Sequence, residues 1–287
     1  MLDRLLSLDR RWIFLAVAVV VTVPLLPVFP SFSCKSPVSS EVHRLFDSIK
    51  DLRPNSKVLV AFDYDPASEP ELNPMAEAFL KYAFTKGWKV IMLGLWPQGP
   101  LMAERVMERV VQDSGVAALN LEYGIDYCNL GYQAGNEFAI QAMGASIEIA
   151  FPRDLRGTPT NEIPIMQGVR DFSNIDYVFN LSAGYPGTVE WVQIAVDRYG
   201  VTLGAGNTAV QAPLMYPYLG AGQLTGLLGG MRGGAEFEEL TGYPGKATTA
   251  MVSQTAAHLV VVLFIVIGNV AFFLNKRREK KLKGESA

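Results

Sequence analysis

One stretch limits this chain more than any other. From Met251 to Leu274 the residues are almost all apolar, and Asn275-Lys276-Arg277-Arg278-Glu279-Lys280-Lys281 follows at once. At about 1.5 Å rise per residue, some 20 apolar residues cross a bilayer core of about 30 Å, so the run is long enough to span. The basic cluster behind it marks a cytoplasmic end. A second apolar run, from Trp12 to about Phe29, follows Arg10-Arg11 and predicts another transmembrane helix over residues 12–31. Everything between then lies on one side of a membrane.

The first run admits two readings. Arg10-Arg11 can be the charged start of a cleaved signal peptide. Ser31-Phe32-Ser33, ahead of Cys34, lacks both a small-x-small cleavage site and a lipoprotein box. Pro24, Pro27 and Pro30 fit the outer, interfacial end of a retained helix, and a retained anchor is the expectation.

The net charge of -3 conceals a division of charge along the chain. The end segments hold nine of the 25 Lys and Arg but four of the 28 Asp and Glu, which leaves 16 bases against 24 acids in the middle. A globule that acidic repels phosphate backbones and argues against nucleic acid as a partner. The basic flanks place both termini in the cytoplasm and the central domain outside it, in a two-pass protein of the plasma (inner) membrane. Cys34 and Cys128 can pair in an oxidising compartment, but nothing forces them to.

Taken in order, the chain divides into a cytoplasmic N-terminus (1–11), the first span, a connector (35–55), an α/β domain (56–212), a glycine-rich helical segment (213–248), the second span (250–274) and a basic tail (275–287). The connector holds a short helix, Glu41 to Lys50. Beyond it, continuous apolar runs alternate with amphipathic ones. Lys57 to Phe62, Lys89 to Gly94, Ala117 to Leu121, Asp176 to Ser182 and Val201 to Gly204 read as strands. Met75 to Thr85, Pro100 to Ser114, Glu137 to Met143 and Thr188 to Tyr199 read as helices, the first opened by Asn73 and Pro74. Asn129 to Gly135 and Pro152 to Gly168 read as loops. Strands apolar on both faces imply a parallel sheet covered by helices, a three-layer domain of Rossmann or flavodoxin type.

Gly222, Gly226, Gly230 and Gly234 recur at four-residue spacing. On a helix they share one face, and each costs about 1 kcal/mol relative to alanine unless a neighbouring backbone packs close. A helix–helix interface including Leu227 and Met231, within a homo-oligomer or with other membrane subunits, is the expected compensation; a plain glycine-rich loop is the alternative. Gln254, His258 and Asn269 are costly in lipid and are expected to face protein.

For chemistry, strand ends come first, because open α/β sheets bind ligands beyond the carboxyl ends of their strands. Asp63, Asp65, Asn129, Ser182 and Asn207 are the candidate crevice residues. Gly131 and Gly135 offer a weak anion-binding turn. The only histidines are His43 and His258, both outside the predicted domain core, which argues against a Ser-His-Asp triad, a Cys-His dyad or a histidine zinc site. Cys128 reads as a buried structural thiol.

Asp63-Tyr64-Asp65 resembles the first motif of the haloacid-dehalogenase phosphatases, and Phe179-Asn180-Leu181-Ser182 loosely resembles their second. Ala67 stands where that family has threonine or valine, and no acidic pair follows the last strand. The resemblance implies Asp63 as nucleophile, Asp65 as acid/base and Mg²⁺ as cofactor. The leading expectation has no cofactor and no catalysis: a membrane-anchored scaffold or assembly subunit. A ligand-binding sensor and the metal-dependent hydrolase are the alternatives.

Overall fold

The structure, a computed structural model, describes residues 9–26 and 37–284. The alternating runs form one six-stranded parallel sheet in the order β3-β2-β1-β4-β5-β6. The strands are β1 (Lys57–Asp63), β2 (Lys89–Gly94), β3 (Tyr127–Tyr132), β4 (Tyr177–Ser182), β5 (Leu203–Asn207) and β6 (Gly226–Gly229). Side chains alternate between faces, as strand geometry requires. Val58, Val60 and Phe62 of β1 enter one helical layer, and Leu59 and Ala61 enter the other.

The first layer contains α2 (Ser40–Ile49), α3 (Glu69–Thr85), α4 (Gly99–Gln112) and α11 (Gly230–Thr241). Phe79 of α3 stacks on Phe179 of β4 with ring centroids 4.0 Å apart. The second layer contains α6 (Glu137–Ala145), α7 (Ile147–Ala150), α8 (Thr188–Trp191) and α10 (Ala212–Gly220). A π-helical turn, Val192–Val196, carries α8 into α9 (Asp197–Tyr199). The strand order reverses between β1 and β4, the switch point at which folds of this order bind their ligands.

Several local expectations change. Ala117 to Leu121 is not a strand; α5 (Ser114–Ala117) and a turn occupy it, and β3 begins later, in a segment read as loop. Asn129 suits a buried strand here because its amide donates to Pro100 O (3.1 Å) and Glu104 Oε1 (2.8 Å). Helix α3 starts at Glu69, so Pro74 lies inside it, and Asn73 is buried rather than capping. Asn73 accepts from the Tyr64 hydroxyl and donates to Glu69.

The glycine ladder is not a helix face. Gly222 sits in a turn at φ +77, Gly226 opens β6, Gly230 opens α11 at φ +59, and Gly234 lies within α11. Close backbone approach is still the cause at Gly226, acting on a strand. A Cβ there would lie 2.2 Å from the Leu45 backbone nitrogen, where α2 crosses β6. Leu227 is buried in the second layer and Met231 is half-buried. The connector helix and the glycine-rich segment are thus parts of one unit, Ser36–Ala247, rather than flanks to it.

Two buried carboxylates on α11 fasten the ends of that unit. Glu236 accepts from Ser39 N (3.0 Å) and Ser39 Oγ (2.5 Å). Glu238 accepts from Gly245 N (2.9 Å) and Ala247 N (3.0 Å). The second pair includes a backbone donor from the first turn of α12 (Lys246–Gly284), a group otherwise left open at a helix start.

The other unit comprises Met1–Lys35 and Thr248–Ala287. Among the described residues, α12 alone is long and apolar enough to cross a membrane. Its Leu259, Val262, Leu263 and Ile265 point outward. The N-terminal α1 (Arg10–Thr22) has 13 residues and a single added turn, Val23–Leu25. At about 1.5 Å per residue, α1 is short of a bilayer core. The outer end of the expected 12–31 span, and Cys34, lie outside the described residues. Ser253 of α12 donates to Val21 O (2.6 Å). Gln254 and His258, expected to face protein, are exposed, and Asn269 is satisfied within its own helix by Ile265 O (2.9 Å).

Replacing Gly226 by alanine should destabilise the domain by about 1–3 kcal/mol, the cost of overpacking. Gly220→Ala, where an added Cβ meets nothing within 4 Å, should leave stability unchanged. Urea unfolding of the full chain in mild detergent, followed by circular dichroism, measures both.

Candidate functional site

The last residues of four strands stand in one register row: Asp63 of β1 beside Ser182 of β4, Ser182 beside Asn207 of β5, and Asn207 beside Gly229 of β6. The alternation that sends Leu59 and Ala61 to the second layer sends Asp63 there too. Asn180, two residues before Ser182, shares the face. The polar residues therefore collect at the switch point, beneath α8.

Asp63 is fully buried, and its carboxylate is the hub. Oδ1 accepts from the Leu95 backbone N–H (2.7 Å). Oδ2 accepts from Asn180 Nδ2 (2.7 Å) and Trp191 Nε1 (2.8 Å). A chain of donors leads inward: Asn207 Nδ2 donates to Thr188 Oγ1 (3.0 Å), and Thr188 Oγ1 donates to Asn180 Oδ1 (2.6 Å). One side chain thereby ties the ends of β1 and β4, the exit of β2, and α8.

Burial pushes the Asp63 carboxyl up to about 7, while the Leu95, Trp191 and Asn180 donors hold it down. Hydrogen bonds to a charged group contribute about 1.5–3 kcal/mol each, enough to offset much of the several-kcal/mol cost of burying a carboxylate.

The connection after β4 roofs this hub. It includes the cis Tyr185-Pro186 peptide bond. Trp96 Nε1, from the β2 exit, donates to Pro186 O (2.7 Å), and the Tyr185 hydroxyl donates to Glu137 Oε2 (2.7 Å) beyond β3. Gly187 must lack a side chain, since a Cβ there would lie 1.9 Å from Ser182 Oγ.

Of the residues named from sequence, the structure brings together Asp63, Ser182 and Asn207. Asp65 stands apart, its carboxylate turned back onto Ala67 N (3.1 Å) ahead of Pro66. Asn129 belongs to the β3–α4 contact. Asn180 enters the sequence reading only through the motif resemblance, and Thr188 and Trp191 do not enter it as site residues; an asparagine flanked by Phe179 and Leu181 is the available signal. Cys128 is free and buried, and burial pushes its thiol well above the usual range.

The roles that the phosphatase resemblance implies do not fit. A nucleophile needs an open face, and Asp63 has none. Mg²⁺ needs free oxygens, whereas N–H groups at 2.7–2.8 Å already point their positive ends at both oxygens of Asp63.

Because the folded pKa of Asp63 lies above its unfolded value of 3.8, the native state holds an extra proton between about pH 4 and 7. Stability should fall as pH rises through that window, by on the order of 4 kcal/mol in all, and then level off. Asp63→Asn should remove that slope, read as the urea midpoint against pH; a slope unchanged in the variant would exclude Asp63 as its source. Comparison with protein-family models, curated proteins and solved structures finds no match to this chain.

Proposed function

We propose that this protein is a membrane-anchored, non-catalytic scaffold or assembly subunit. Its α/β domain stands outside the cytoplasm of a plasma (inner) membrane, and both termini lie within. The observation that carries the reading is the outward-facing apolar surface of α12, which water does not accommodate and lipid does. Two features support the orientation: the Lys and Arg cluster after Leu274, and the acidic excess of the residues between the two apolar runs.

The non-catalytic part rests on how the polar strand-end groups are spent. Asp63, Asn180, Ser182 and Asn207 each hold another part of the same domain. Groups committed in this way stabilise a shape rather than turn over a substrate. Such a domain works through its surface, on other membrane-protein subunits or on copies of itself.

In membranes from cells making the protein, high salt and alkaline carbonate should fail to release it, whereas detergent should. Protease added outside intact spheroplasts should remove the domain and leave short membrane-protected ends. Release by salt alone, or full protection of the domain, would end this reading.

A further inference from the structure

In sheets of this order, backbone N–H groups at the strand exits usually meet the phosphates of a ligand. Here the chain's own carboxylates occupy four of them. Leu95 N donates to Asp63, Ala67 N to Asp65, Gly187 N to Glu190 (2.7 Å) and Ala209 N to Glu71 (2.8 Å). These donors lie on the exits of β2, β1, β4 and β5 respectively.

Charge sharpens the point. The one cation at the exit of β6, Arg232, is paired with Glu236 (2.6 Å), and from each of β1 to β5 into the start of the next helix (64–72, 95–102, 133–140, 183–191 and 208–215) there is no lysine or arginine. The same residues hold Asp65, Glu69, Glu71, Glu137 and Glu190. Glu69 is neutralised by Arg105 and Arg109 of α4. Among the described residues, the other four accept from backbone N–H groups or, for Glu137, from a tyrosine, and form no ion pair. The Tyr185 hydroxyl holds the Glu137 carboxyl below the usual carboxylate range, so it stays ionised.

Apolar side chains stand among these carboxylates. Val210 is 82% exposed, Phe138 72% and Tyr185 60%, with Leu214 and Leu101 beside the exits of β5 and β2. Carboxylates interspersed with exposed rings and aliphatic groups repel anions, anionic lipid and another copy of the same edge.

We infer that the carboxyl edge of the sheet is a docking surface for a basic, apolar-containing polypeptide segment of a partner protein. Cationic side chains of the partner meet Asp65, Glu71, Glu137 and Glu190, and its apolar side chains cover Phe138, Tyr185 and Val210. The inference rests on the scaffold reading above and names the surface through which the scaffold works.

The test uses the full chain in mild detergent and a labelled synthetic helix of lysine and leucine, with glutamate replacing lysine in the control peptide. Fluorescence anisotropy should show binding of the basic peptide only. Phe138→Ser with Val210→Ser, both fully tolerated by their exposure, should weaken it about tenfold or more, as loss of central contacts does. Glu137→Gln should weaken it further, and Glu108→Gln, on the exposed face of α4, should not change it. Equal binding of both peptides, no binding, or binding insensitive to the edge variants would overturn the inference. So would a change in oligomer mass caused by the edge variants, which would make a second copy the occupant. Membrane extraction and protease accessibility are read separately, so a failed edge leaves the anchored-scaffold reading standing, and a salt-released protein removes that reading whatever the peptide does.

Discussion

A buried carboxylate at the switch point sets the character of this domain. Asp63 is drawn beneath the surface by the alternation of β1, and once there it needs partners. The chain supplies them from β2, β4 and α8. Those partners lock together the two halves of a sheet whose strand order reverses at that place. The order is that of dinucleotide-binding folds, yet the donors such folds leave for phosphate are used internally. Architecture and ligand chemistry are separable, and here they separate.

The same economy appears at the other end of the domain's construction. Glycine is needed at Gly226 because α2 passes over an edge strand, and at Gly187 because the roof of the hub sits against Ser182. The two ends of the domain are fastened by neighbouring glutamates of α11. Polar groups are used as structural fasteners at each of these places, and apolar side chains are left in the open at the carboxyl edge and along the helix that can cross a membrane, among others such as Ile149.

Much of the fold was legible in the sequence because the strands are apolar on both faces. Lys57 to Phe62 and Lys89 to Gly94 admit almost no other reading. β3 was harder: Asn129 and Gly131 look like loop residues, and only the partners that Asn129 finds on α4 make it a strand. The glycine ladder misleads because four-residue spacing suggests one helix face, whereas a turn, a strand and a helix divide those glycines among them. At the hub, strand-end position found Asp63, Ser182 and Asn207. Thr188 and Trp191 join through a helix that packs down from the next layer, a contact that linear spacing does not encode.

The central claim is that the strand exits are closed to anions by the chain's own carboxylates. Thermal unfolding of the full chain in mild detergent, with and without saturating ATP or NAD, tests it directly. A ligand that binds only the folded state raises the midpoint by mass action. The account predicts no shift with either nucleotide. A saturable rise in midpoint with either nucleotide would mean that those N–H groups are open to phosphate after all, and would contradict it.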